Sequence, residues 1–187
     1  MSAVIDSIRN EHRTMARLLD LLEAQIDLFE QTDQPDYDLI REIIDYFLTF
    51  PDLYHHPKED VVFRKLKARD AKAVEPFGEL DQLHADVSER LHEFTRAVVN
   101  VLMEAEISRD TFVKLARDFI SGERAHMKAE EKHFLPVAAS TLTKKDWDEI
   151  EGVVSKFQDP LGPDTMSNRF SILSEQVTAW RTSVAAQ

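Results

Sequence analysis

The sequence predicts an all-α fold, an antiparallel up-down-up-down four-helix bundle with additional C-terminal helices, on three observations. Apolar residues recur at three- and four-residue steps over long stretches, the mark of a helix with one buried face. Leu, Ala, Glu, Lys and Arg dominate, only four glycines occur among 187 residues, and runs of β-branched residues are scarce, a balance that favours helix over strand. The connections between the long stretches are short, so sequential helices are expected to lie antiparallel.

The first helix is expected over about residues 3–30, where Val4, Ile8, Met15, Leu18, Leu19, Leu22, Ile26 and Phe29 form the apolar stripe. A polar turn at 32–36 follows. The second helix runs from about Tyr37 to about Arg69, with Ile40, Ile43, Ile44, Phe47 and Leu48 inward, then Val62, Phe63 and Leu66. Pro51 and Pro57 fall inside it. Each removes a backbone donor and crowds the preceding turn, which predicts a kink or short break. After a connector around residues 70–78, the third helix carries Leu80, Leu83, Val87, Leu91, Phe94, Val98, Val101 and Leu102.

Ser108 and Asp110 are candidate caps for the fourth helix, which uses Phe112, Leu115, Phe119 and Ile120 and continues to about Ser140. Thr143 to Asp146 reads as a capping-box variant that opens a shorter helix to about Phe157. Two prolines and a glycine in 158–163 break it, and a last helix is expected from about Phe170 to Val184. Its stripe of Phe170, Ile172, Leu173, Val177 and Trp180 is expected to pack on the same chain. Met15, Met103 and Met127 are expected to fill the core. Residues 1–142 would then be the bundle, and 143–187 a helical extension packed on it.

Composition narrows the function. The length suits one compact domain with its own core. No stretch approaches the roughly 18–20 apolar residues of a membrane span, and the N-terminus has acids where a secretory signal has an apolar core. A cytoplasmic location without a membrane partner is expected. Cysteine is absent, which excludes disulfides, thiolate zinc sites, iron–sulfur ligation and cysteine nucleophiles. Any metal must sit on His and carboxylates. The net charge of −12 argues against nucleic acid, whose phosphates need a basic face.

Of seven histidines, two head an HxxxE spacing, His55 to Glu59 and His126 to Glu130. Positions i and i+4 share a helix face, so both side chains of each pair can reach one metal cluster. Imidazoles with carboxylates suit iron or manganese better than magnesium or calcium. The spacing alone is weak evidence, because an acidic chain meets it by chance. Depth along the bundle is stronger. His12 lies about 18 residues before the end of the first helix, and His55 about 18 after the start of the second. His84 and His126 fall near the same level on the third and fourth helices. His92 and His133 lie two turns away in opposite directions and are read as structural or surface residues. His56 is turned about 100° from His55 and faces away from the same ligand point, unless a proline shifts the register so that His56 and Asp60 replace His55 and Glu59. Glu131 is a possible outer acid beside Glu130, and Tyr46 and Tyr54 could line the site.

The segments IRNEHRTM, YHHPKEDVVFRKL, LDQLHADV and ERAHMKAEEKHFLPVA, in this order, resemble the successive helices of hemerythrin-like proteins with an HHE cation-binding domain. LTKKDWDEI followed by a DPL turn resembles the tail of bacterial members, so the resemblance runs from about Val4 to Leu161. It implies a four-helix bundle around two non-haem iron ions with an oxo or hydroxo bridge, manganese or zinc being the weaker alternatives. It also implies bridging by Glu59 and Glu130, and nitrogen ligands from His12, His55, His84 and His126. Oxygen-carrying relatives have HxxxH on the third helix, where this chain has Ser88 after His84, and HxxxxD on the fourth. Four histidines and two carboxylates leave a coordination position open, which favours small-molecule chemistry over reversible oxygen carriage.

The resemblance therefore implies a protein that binds, senses or turns over dioxygen, peroxide or nitric oxide, as a monomer or weak homodimer. The alternative is an iron-binding, storage or donation protein without turnover. Repair-type relatives often carry a cysteine-bearing N-terminal region, which is absent here. A helical scaffold without metal is the third reading.

Overall fold

The computed structural model describes residues 2–31, 34–77, 80–103 and 107–157, together with 173, 175 and 176. Its elements are α1 (Ala3–Glu30), α2 (Tyr37–Phe47), a first π turn (Pro51–His55), α3 (His56–Arg69), α4 (Ala71–Val74), a 3-10 turn (Glu75–Phe77), α5 (Leu80–Leu102), α6 (Arg109–Ala129), a second π turn (Glu130–Phe134), α7 (Leu135–Thr141) and α8 (Lys144–Val154). No strand occurs among the described residues, so the all-α expectation holds.

Local chemistry sets the boundaries. Ser2, Asp36 and Ser108 cap α1, α2 and α6 by accepting from the backbone N–H of Val4, Leu39 and Thr111. Thr143 and Asp146 close a reciprocal capping box at the start of α8, as expected, though the helix ends at Val154. The expected break in the second helix is a change of pitch. The chain turns at 48–49 and then widens to a π turn closed by His56 N–H on the Pro51 carbonyl. The second π turn is closed likewise by Leu135 N–H on Glu130. Each wide turn is followed, two residues on, by a proline (Pro57 and Pro136). A helical proline lacks its N–H and clashes with the carbonyl four residues back, and widening the turn relieves both demands.

Side-chain pairs record how the helices meet. Arg117 reaches Glu23 at 3.1 Å and Glu30 at 2.9 Å, Arg124 reaches Asp20 at 2.8 Å, and Arg9 reaches Glu131 at 3.0 Å. Partner numbers on α1 fall as those on α6 rise. From α1 to the α2–α3 limb the order also reverses, with Gln25 accepting from Asp36 N–H while Glu11 pairs with Lys58. Helix α5 packs on α2, α3 and α6, and α8 packs on α1 and α3. Arg69 of α3 holds Asp146 at 2.7 Å.

Two apolar clusters fill the interior. One runs from Met15 to Ile26 on α1 and gathers α2, Leu91 to Val98 and Phe112 to Met127. The other gathers Val4, Ile5 and Ile8 with Val62, Phe63, Leu66, Phe134, Leu135 and Ile150. Between them on α1 lie Glu11 and His12, in the first π turn and α3 His55 to Glu59, and at the start of the second π turn Glu130. A polar layer is thus walled above and below by hydrocarbon.

Most expected core residues are buried, but Leu83, Leu102 and Met103 are exposed. Met103, just past the end of α5, is 75% exposed, so it is no core filler. The last expected helix, 170–184, lies largely outside the described residues, with Phe170, Ile172, Val177 and Trp180. Leu173 is helical and buried in the first cluster, and its backbone N–H donates to Glu42 at 3.0 Å. No helix among the described residues is long and apolar enough to cross a membrane.

Candidate metal centre

The polar layer brings together all six residues expected at the site, His12, His55, Glu59, His84, His126 and Glu130, and adds His56. Ligand-capable atoms form two groups, His12, His55, Glu59 and Glu130 in one, and His56, Glu59, His84 and His126 in the other, with all atoms of a group within 4.8 Å of one another. In each group every residue is buried. His12 Nε2 and His55 Nε2 stand 3.1 Å apart.

Glu59 and Glu130 each face both groups. Oε1 of Glu59 lies 3.6 Å from His12 Nε2 and 3.5 Å from His55 Nε2, while its Oε2 lies 3.5 Å from His84 Nε2. Oε2 of Glu130 lies 3.4 Å from His12 Nε2, and its Oε1 lies 3.1 Å from His126 Nε2 and 3.8 Å from His84 Nε2. Two carboxylates thus separate a two-histidine set from a three-histidine set.

His56 corrects the sequence reading. An unbroken α-helix would turn His56 about 100° away from His55, but the π turn ends at His55, and both imidazoles face inward. His56 is 7% exposed, and its ring stacks on His84 at 3.8 Å between centroids. The choice between His55/Glu59 and His56/Asp60 was therefore false, since both histidines and Glu59 face the centre. Asp60 stands outside it, 4.0 Å from His84 Nδ1. The deficit read from Ser88 also disappears, because the fifth imidazole comes from the α2–α3 limb. His92 and His133 are exposed, as expected.

An outer layer orients the rings. His12 Nδ1 donates to Glu131 at 3.0 Å, and Arg9 holds that carboxylate from the far side at 3.0 Å. His55 Nδ1 donates to Glu11 at 2.9 Å, and Glu11 also receives the buried Lys58 ammonium and Ser7 Oγ–H at 3.0 Å. His56 Nδ1 lies 3.3 Å from Asp52. Carboxylates only accept, so each Nδ1 carries a proton and each Nε2 is directed at the centre. Sequence reasoning named Glu131 but missed Glu11, Lys58, Asp52 and Glu123. The last three are ordinary helix-surface types by sequence, and only their packing distinguishes them.

Electrostatics express a need for positive charge. Burial works against charge on His12, yet the neighbouring carboxylates of Glu130, Glu131 and Glu59 outweigh it and hold its pKa well above the usual value. His84 is likewise opposed by burial but pushed up to about 10 by Glu130 and Glu59. Burial lowers His56 and His126. Burial also works against ionisation of Glu59 and Glu130, but the surrounding histidines keep both below the usual carboxylate range. Glu123 differs, because burial raises its pKa to about 7.

The fit to metal rests on unmet demand. Both oxygens of Glu59, both of Glu130, and Nε2 of His56, His84 and His126 are buried without a hydrogen-bond partner. Each such group costs about 1–3 kcal/mol when left unsatisfied. All seven atoms point into one polar layer, and cations bound there would satisfy them together.

An all-helical protein with a buried histidine–carboxylate cluster suited to metal ions is the class these features define. Residues 3–138 match the hemerythrin HHE cation binding domain, and the chain belongs to that family. No curated protein and no solved structure matches the chain.

Proposed function

We propose that the chain is a non-haem di-iron protein that binds or turns over a small ligand such as dioxygen, peroxide or nitric oxide. The observation that carries this reading is the disposition of Glu59 and Glu130, each with oxygens toward both histidine sets. His12 and His55 would hold one ion and His56, His84 and His126 the other, with Glu59 and Glu130 shared. This nitrogen–oxygen donor set suits iron or manganese over magnesium or calcium. A bound iron pair would supply electrons and coordination positions for a small ligand. The chain itself orients the imidazoles through Glu11 and Glu131 and flanks the centre with two apolar clusters.

The same proposal takes residues 1–142 as an antiparallel four-helix bundle, supported by the reversed order of pairs between α1, the α2–α3 limb and α6, with 143–187 as an extension and a cytoplasmic setting. Burial of all seven ligand side chains, 0–9% exposed, supports retention of metal over donation. Metal analysis with optical spectra on protein reconstituted with ferrous iron tests the reading. Two irons per chain, an absorption change on adding nitric oxide or peroxide, and a lower Tm after chelation are expected. One zinc, or no metal, would overturn it.

A further inference from the structure

Beside the three-histidine set lies a cavity of about 20 Å³ between α2, the first π turn, α5 and α6. Asp52 and His92, both exposed, line it together with His56, Ser88, Phe119 and Glu123. It therefore joins solvent-exposed side chains to an imidazole of the candidate centre. A single water needs roughly 10–15 Å³ measured this way, so the space takes one molecule of water or peroxide size.

Glu123 is the unexplained group in its wall. The residue is 4% exposed, and its carboxyl has no hydrogen-bond or ion-pair partner among the described residues. It stands one turn before His126 on α6, among Phe47, Phe119 and other apolar side chains. Glu123 lines the cavity wall, so a guest with an O–H group there is placed to hydrogen-bond its carboxyl.

We propose that this cavity is a binding chamber for one small hydroxylic molecule, water at rest and a hydroperoxide as substrate, and that Glu123 anchors it by a hydrogen bond. A carboxylate accepts from an O–H group, and a carboxylic acid donates to its oxygen, so the anchor works in either protonation state. Dioxygen brings no proton, so only the carboxylate form of the anchor favours peroxide over dioxygen. Only the assignment of the guest as substrate rests on the proposed function; the chamber itself rests on geometry.

Crystals of the wild type, Glu123→Gln and Glu123→Leu, with peroxide kinetics on the iron-loaded proteins, test it. A chamber oxygen within about 3 Å of the Glu123 carboxyl is expected in the wild type, retained in Glu123→Gln and lost in Glu123→Leu. KM for peroxide is expected to rise about tenfold or more in Glu123→Leu, and also in Ser88→Leu, which fills the cavity from α5, with iron content and nitric oxide spectra unchanged. Glu123→Gln should stay within about threefold. An empty chamber, a Glu123 carboxyl bound directly to metal, or a KM within about twofold in both leucine variants overturns the proposal. Failure of the functional reading is distinct. The iron-loaded wild type would then leave peroxide untouched while the chamber oxygen stays in place, which upholds the chamber.

Discussion

Glu11 sits one residue before His12 and turns to the other side, where it gathers His55 Nδ1, Ser7 Oγ and Lys58 Nζ. Burial opposes its charge, but His55 and Lys58 keep it ionised below the usual range. Glu11→Gln preserves shape while removing the charge that fixes the His55 ring. Metal affinity is expected to fall about 10–100-fold, read by chelator competition, with the metal count at saturation unchanged. His56 allows a sharper comparison. His56→Ala should cost one metal ion per chain by metal analysis, whereas His92→Ala and His133→Ala should retain the full count. Equal loss in all three would show that the centre tolerates no histidine change at all and would remove His56 from its special place. Residues at one bundle depth were legible in the sequence, because a rise of ~1.5 Å per residue converts sequence position into height. Glu11, Lys58 and Glu123 were not, because their burial depends on what faces them.

At the scale of elements, the π turns matter most. Both precede a proline by two residues, and both carry or adjoin centre residues, His55 and His56 in one case and Glu130 in the other. Pro57→Ala restores the missing N–H and relieves the clash. The first wide turn should then tighten, turning His55 about 100° relative to His56, so that only one imidazole faces the centre. Metal content should drop toward one ion per chain while circular dichroism keeps its helical signal. Full metal content in this variant would mean that the turn is held by tertiary packing. Gly152 of α8 makes the opposite case, since a Cβ there meets nothing within 4 Å. Gly152→Ala should stabilise the protein by about 0.5–1 kcal/mol in denaturant unfolding. Gly122 offers no such gain without movement, because its Cβ would stand 2.5 Å from Arg90 Nη1. The sequence foretold a break at the prolines, but an ideal α period hid the form that break takes.

Across the whole molecule, α8 is tied to α3 through Asp146, which pairs with Arg69 and closes the capping box with Thr143. The Thr143 hydroxyl, and then Arg69, hold the Asp146 carboxyl well below the usual carboxylate range. A depressed folded value means that its stabilisation is fully present above the unfolded value, about 3.9, and is lost as pH falls through the folded one. Asp146→Asn should therefore lower Tm at neutral pH, and the gap to wild type should close as pH drops below about 4. A gap independent of pH would show that the carboxylate charge contributes nothing.

Taken alone, the sequence determined that the chain is helical, where the long helices run, and that four histidines and two glutamates share one depth, because helical period and rise are local properties of the backbone. Only tertiary structure decided that His56 joins them, that Glu59 and Glu130 face both histidine sets, and that Glu11, Lys58 and Glu123 are buried. Those outcomes depend on a two-proline change of pitch and on surfaces from different helices meeting. The centre first legible as two HxxxE pairs is, in the folded chain, a five-imidazole, two-carboxylate layer between two hydrocarbon clusters.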